Sequence, residues 1–351
     1  AVHLKLMIIY NTAMIEDFAT NNNLASYRVD QFNNQFYKQG ITSFDELTTW
    51  SKDLREKLKE EIDVSTLEHV KDNYSSTGDT IKTEFKTKDG FPIETVLMQY
   101  NDGRNSVCVS CMSGCPVGCE FCATGKMGFN RNLTHREIID QIMYFERMLS
   151  EKGKNVTNVV FMGMGEPMLN LQNVRKAVEI INDSNKLSIG IRRVTISTVG
   201  YVPQMREYFN NRHTPRLAIS LHAPNQEIRE KIMPTISKLH PFDELMEFTE
   251  WYEKELNKRI TYEYTLIKGI NDQPEHAIEL SKLLYNKLAL VNVIRFNPSS
   301  VLPYETPKEE TLQRFVKILN NRDINTTVRY SMGDKIGGAC GQLHSGNSIN
   351  A

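Results

Sequence analysis

The chain has 351 residues with 40% hydrophobic and 24% charged content, ordinary values for a globular protein long enough for one barrel-sized α/β domain plus a small extra one. Its net charge of −1 provides no global basic field, so a nucleic-acid partner would need a local patch. No apolar run approaches the ~18 residues of a membrane span, and Leu6-Met-Ile-Ile-Tyr10 is too short for a secretory core, so the expectation is a cytoplasmic protein with no membrane partner.

Residues 14 to about 72 read as helical and polar. Val29, Phe32 and Phe36 recur at helical spacing, and Gly40 ends that run. Ser43 with Glu46 makes a capping box, and residues 51–62 form a further charged helix. Residues 1–75 are therefore expected to be an N-terminal helical accessory domain. It serves either as a passive cap or as an RNA-contacting module. From Thr80 the pattern alternates, Asp89-Gly90 signals a hairpin, and 93–100 reads as a strand. Residues 76–105 thus form a β-hairpin linker into the main domain.

Strand-like runs then alternate with helix-like ones. The strands are 106–110, 158–162, 193–197, 217–221, 260–266 and 291–296. Helices at 134–149, 171–181, 242–256 and 274–288 lie between them, and Thr134 with Glu137 makes a second capping box. This alternation implies a parallel sheet with helical crossovers. Six units over residues 106–300 suit a partial (β/α)6 barrel better than a closed eightfold one. Residues 301–351 hold a last helix, a strand and a Gly-rich loop carrying Cys340.

Five of the six cysteines fall between Cys108 and Cys122. In a chain read as intracellular, this density points to metal or redox chemistry rather than a disulfide scaffold. Cys115, Cys119 and Cys122 form a Cys-x3-Cys-x2-Cys set with no fourth cysteine at matching spacing. A fully ligated four-iron cluster takes four thiolates, so three leave one iron open for a substrate. A zinc site completed by a distant histidine is the competing reading. Further unusual residues follow the carboxyl ends of successive strands, where parallel α/β folds bind ligands. They are Gly163-Met-Gly-Glu-Pro167, Ser197-Thr-Val-Gly200, Ser220-Leu-His-Ala-Pro-Asn225 and Asn297-Pro298.

The cysteine spacing resembles the radical S-adenosylmethionine (radical SAM) signature. With Ile93-Glu-Thr-Val96, Phe121-Cys-Ala-Thr-Gly125, Gly128-Phe-Asn-Arg-Asn-Leu-Thr134 and Ala339-Cys-Gly-Gln-Leu343, the chain resembles the RlmN/Cfr family of radical SAM adenine methyltransferases over essentially its whole length. The resemblance implies a radical SAM partial barrel holding a [4Fe-4S] cluster on Cys115, Cys119 and Cys122. It also implies two SAM molecules per turnover. The first methylates Cys340, and the second yields a 5′-deoxyadenosyl radical that activates this methyl group for addition to adenine. Cys108 then releases the product through a transient disulfide, and Glu94 accepts the ring proton. Gly165, Glu166, Ser197, Ser220, Leu221, His222 and Asn297 match the family's SAM contacts.

The implied substrate is an adenosine of 23S rRNA at the peptidyl transferase centre, together with a tRNA adenosine. The implied partner is a reducing protein such as flavodoxin or ferredoxin, and the enzyme is expected to be a monomer. RlmN-type members act on C2, the favoured reading, and Cfr-type members act on C8 and confer antibiotic resistance. A different radical SAM enzyme and a non-catalytic iron–sulfur RNA-binding module are the remaining alternatives. Two features depart from the family pattern. Cys111 replaces a serine and has no family role, and Gly337-Gly-Ala-Cys340 is expected to loosen the loop around Cys340.

Overall fold

The computed structural model describes residues 15–344, so the apolar run 6–10 lies outside the described residues. Twelve strands are present among them. They are β1 (Leu67–Tyr74), β2 (Thr80–Thr87), β3 (Pro92–Gln99), β4 (Asn105–Cys108), β5 (Met112–Gly114), β6 (Phe129–Asn132), β7 (Asn158–Phe161), β8 (Val194–Thr198), β9 (Arg216–Ser220), β10 (Ile260–Leu266), β11 (Ala289–Arg295) and β12 (Thr326–Val328). Ten of them make one open sheet in the order β1-β2-β3-β4-β7-β8-β9-β10-β11-β12, and β5 pairs with β6 alone. From β4 to β12 every neighbouring pair is parallel, while β1, β2 and β3 add antiparallel strands at one edge. The sheet does not close, as expected for a partial barrel.

Six β/α units are followed by a seventh parallel strand, so the helix Glu309–Asn320 and β12 extend the barrel series into the segment grouped with the C-terminal loop. Helices cover the sheet because their apolar stripes need burial. His135–Ser150 starts at the Thr134–Glu137 capping box and buries Ile138, Ile142 and Phe145. Inside the sheet, Val107, Val159, Ile196, Leu217, Tyr264 and Val293 are fully buried, as expected for parallel strands covered on both faces.

The N-terminal helices are Ile15–Asn21, Ser26–Asn33 and Lys52–Glu61. An aromatic cluster of Phe18, Phe32, Phe36, Phe44 and Trp50 holds them together, with Phe32 and Phe36 stacked at 5.3 Å. Arg147 ties this unit to the barrel by donating to the carbonyls of Gly40 and Ile41, each at 3.1 Å. Helical structure ends at Glu61, and the expected helical region up to residue 72 is replaced by β1 from Leu67. The polar sequence Leu67-Glu-His-Val-Lys-Asp-Asn-Tyr74 suits an edge strand, with one side hydrogen-bonded to β2 and the other wet. Residues 80–99 likewise form an integral part of the large sheet rather than a separate linker, because β3 pairs directly with β4.

Candidate active site

The cysteine loop leaves the carboxyl end of β4, and the short β5–β6 hairpin folds it back. Cys115, Cys119 and Cys122 then line one cleft of about 910 Å³, including its open mouth. The cleft is also lined by Gly165, Glu166, Ser197, Ser220 and His222, which lie at the carboxyl ends of β7, β8 and β9 or in the turns after them. Cys340 of the C-terminal loop lines the same cleft. Five separate sequence regions therefore converge on one space, as parallel α/β sheets arrange their ligand sites.

All six cysteines are free thiols. Burial pushes the Cys115 thiol up to about 12 and the Cys119 thiol well above its usual range, so neither ionises without a nearby cation. An iron cluster would supply that charge. Among the described residues no three His, Cys, Asp or Glu side chains converge on a point that would hold one metal ion. A four-iron cluster needs no such convergence, since each thiolate binds a different iron. The donor set therefore fits a cluster with three protein ligands.

The turn after β7 is shaped by its glycines. Gly165 has φ of +105°, and a Cβ there would lie 2.6 Å from the Met112 side chain. The Glu166 carboxylate accepts from Met168 N and Val199 N, each at 2.9 Å, and is 2% exposed. Burial raises it to about 7. Both of its oxygens hold the turns after β7 and β8 in place, so the side chain shapes the cleft as well as lining it. Ser197 and Ser220 place their hydroxyls 3.2 Å apart on adjacent strands.

His222 adopts φ of +54°, and its Nδ1 accepts from Thr265 N at 3.0 Å. Its ring meets Phe121 edge-on at 4.7 Å, which ties the cysteine loop to the turn after β9. Leu221 and Asn297 do not line the cleft. Leu221 is buried in the core, while Asn297 donates its side-chain amide to the Cys340 carbonyl at 3.1 Å.

Cys340 also lines a second, narrower cavity together with Cys108, Met98, Tyr100 and Met332. The fold therefore brings Cys108 and Cys340 to one wall despite their distance in sequence. Burial pushes Cys108 up to about 12. Glu94 lines neither space. It is fully buried behind the Cys340 loop, where Lys82 Nζ and His344 N each donate to it at 2.8 Å. Burial outweighs Lys82 and holds its carboxyl above the usual range. Cys111 is buried against Gly165 and lines neither cavity.

The loop around Cys340 is tied down rather than loosened by its glycines. Gly338 N donates to Gly333 O at 2.8 Å, Ala123 N to Gly341 O at 2.8 Å, and Thr124 Oγ1 to Leu343 O at 2.6 Å. Gly337 takes a left-handed φ of +66° that permits the turn. Arg131 and Lys126, candidate phosphate contacts by charge, have internal partners. Arg131 forks onto Asp89 and Glu137, and Lys126 pairs with Glu120 at 2.5 Å.

Two charged cleft residues lay outside the sequence motifs. Glu263 lies on β10, and Arg329 follows β12 and lines both cavities. A signal for Glu263 was present, because Thr261, Glu263 and Thr265 share the polar phase of an otherwise buried strand. Arg329 follows a three-residue strand and carries no periodic signal.

Residues 109–281 match the model of the radical SAM superfamily, and residues 7–64 match that of the ribosomal RNA large subunit methyltransferase N-terminal domain. The chain is 44% identical to a "Probable dual-specificity RNA methyltransferase RlmN" of Dictyoglomus thermophilum, covering 91% of each. A protein of the same name from Clostridium novyi is 39% identical over 97% of this chain and 98% of the relative. The crystal structure of a radical SAM methyltransferase from Sphaerobacter thermophilus superimposes with a TM-score of 0.91 at 41% identity, covering 94% of this chain and 96% of that one. On these matches the chain belongs to the RlmN family of radical SAM RNA methyltransferases.

Proposed function

We propose that the protein methylates C2 of an adenosine in 23S rRNA, at the peptidyl transferase centre, and of an adenosine in tRNA. The observation that carries this reading is Cys340. It lines both the cleft of Cys115, Cys119 and Cys122 and the cavity of Cys108. A methyl carrier must face the source of its methyl group on one side and the RNA base on the other. The name shared by the relatives supports two RNA substrates, and their uniform RlmN naming favours C2 over C8.

Cys115, Cys119 and Cys122 would hold a [4Fe-4S] cluster, with Gly165, Glu166, Ser197, Ser220 and His222 around SAM. When bound, these groups supply one-electron chemistry that no side chain provides. Cys340 would take its methyl group from one of two SAM molecules used per turnover. Asn297 and Thr124 hold the Cys340 loop between the two spaces. Cys108, as its thiolate, attacks the Cys340 sulfur; the sulfur–carbon bond breaks, the released carbon takes up a proton to become the methyl group on the RNA, and the disulfide left behind is reopened by a two-electron reductant. Glu94 accepts the ring proton, which requires the His344 contact to open first. The protein works as a cytoplasmic monomer with a reducing partner such as flavodoxin or ferredoxin.

The test uses anaerobically reconstituted protein, SAM and reductant with an rRNA fragment or tRNA. Digested nucleosides are compared by mass spectrometry with 2-methyl- and 8-methyladenosine. The expected product is 2-methyladenosine from both RNAs. Detection of 8-methyladenosine, or of neither product, overturns the assignment.

A further inference from the structure

A polar ladder crosses the sheet at one level. Glu263 on β10 is in register with Ser220 on β9 and Asn292 on β11, and Asn292 is in register with Thr327 on β12. Asn292 Nδ2 donates to Glu263 Oε1 at 3.0 Å, and Thr327 Oγ1 donates to Asn292 Oδ1 at 2.5 Å. At the other end, Ser220 meets Ser197. One atom of this ladder lacks a partner. Glu263 is 4% exposed, and its Oε2 is closed off from solvent with no hydrogen bond among the described residues. Leaving a buried carboxylate oxygen unpaired is costly, so such atoms usually have an occupant to meet.

Glu263 lines the same cleft as the three thiols, and it does not line the second cavity beside Cys108. Arg329, in the same wall, is held firmly protonated, chiefly by Cys340 and then by Glu263. Burial, the largest influence, holds the Glu263 carboxyl above its usual range, and the positive charge of Arg329 works against that shift.

We propose that Glu263 is a SAM-binding residue, with Oε2 accepting a hydrogen bond from a ribose hydroxyl of the nucleoside half. This rests on the reading of the cleft as the SAM site. Ser197, Ser220 and Glu263 line the cleft from three neighbouring strands, and a ribose presents adjacent hydroxyl donors to such a row. An RNA base approaching past Cys108 would occupy the other cavity, which Glu263 does not reach.

Glu263→Gln tests this directly. It preserves side-chain volume and the Oε1 bond to Asn292, but it puts an N–H donor where Oε2 must accept. Binding of S-adenosylhomocysteine to the cluster-reconstituted full chain is measured by calorimetry, with iron content as a control. The variant is expected to bind roughly 10- to 100-fold more weakly, with unchanged iron. The 2′-deoxy and 3′-deoxy forms of the ligand provide a second arm on the wild-type protein. One of them is expected to lose similar affinity, and to lose nothing further on Glu263→Gln. Equal affinity of variant and wild type with iron intact overturns the proposal. If the variant loses its cluster, equal binding of the ribo- and deoxy-ligands to the wild type overturns it instead. Failure of the wild type to bind any of these ligands overturns the SAM-site reading itself, a distinct result.

Discussion

Acidification isolates the contribution of His222. Its imidazole is buried, and Nδ1 accepts the Thr265 amide at 3.0 Å, so the native state holds it neutral. Burial, then the charge of Arg229, lowers it from 6.5 to about 3. Unfolding restores the ordinary value, so below 6.5 the unfolded chain binds a proton that the native chain refuses. The stability attached to His222 is therefore complete above pH 6.5 and is lost as pH falls toward 3. Between pH 7.5 and pH 5 the unfolded histidine becomes almost fully charged while the native one remains neutral. The 1.5 units between 6.5 and 5, at ~1.4 kcal/mol each, give a loss of about 2 kcal/mol. Asparagine tolerates the left-handed backbone at this position, so His222→Asn removes the titration without forcing the turn. Urea unfolding of cluster-free protein at both pH values measures the effect. The wild type is expected to lose about 2 kcal/mol more than His222→Asn on acidification. Equal losses would refute the argument and would mean that the ring can take up a proton in the folded chain.

Thr124→Val removes the donor to Leu343 O and leaves a buried carbonyl unpaired, at a cost of about 1–3 kcal/mol. Hydrogen exchange at residues 339–344 should then accelerate by roughly 10- to 100-fold, while unchanged protection would show that the loop is anchored elsewhere. Cys108→Ala is expected to abolish product release and leave RNA covalently attached through Cys340, visible as a shifted band on a denaturing gel; multiple turnovers in this variant would remove Cys108 from the mechanism. Gly165→Ala forces a side chain into left-handed backbone 2.6 Å from Met112 and is expected to destabilise the chain by about 1–3 kcal/mol, and a wild-type melting temperature would contradict this turn geometry.

Local chemistry was legible in the order of residues. The capping boxes at Ser43 and Thr134 formed, because each uses groups only three residues apart. The alternation of strands and helices was readable because burial on both faces demands apolar strands, and it led directly to an open parallel sheet. The cysteine cluster pointed to metal chemistry through spacing alone. Other features depended on distant partners. The segment 67–74 is polar enough to suit a surface helix, and only pairing with β2 makes it a strand. Its competing propensities were decided by a neighbour that periodicity does not reveal. Glu94 is marked by its motif, yet its place behind the Cys340 loop depends on Lys82 and on His344 at the far end of the chain. Arg131 has the charge to meet phosphate, but Asp89 and Glu137 engage it first. Glu263 and Arg329 became site residues only when parallel strands brought their positions to one wall. Sequence determines which groups are available and the short-range structure they prefer. Tertiary packing decides which of them meet, because burial and pairing energies depend on contacts between residues far apart in the chain.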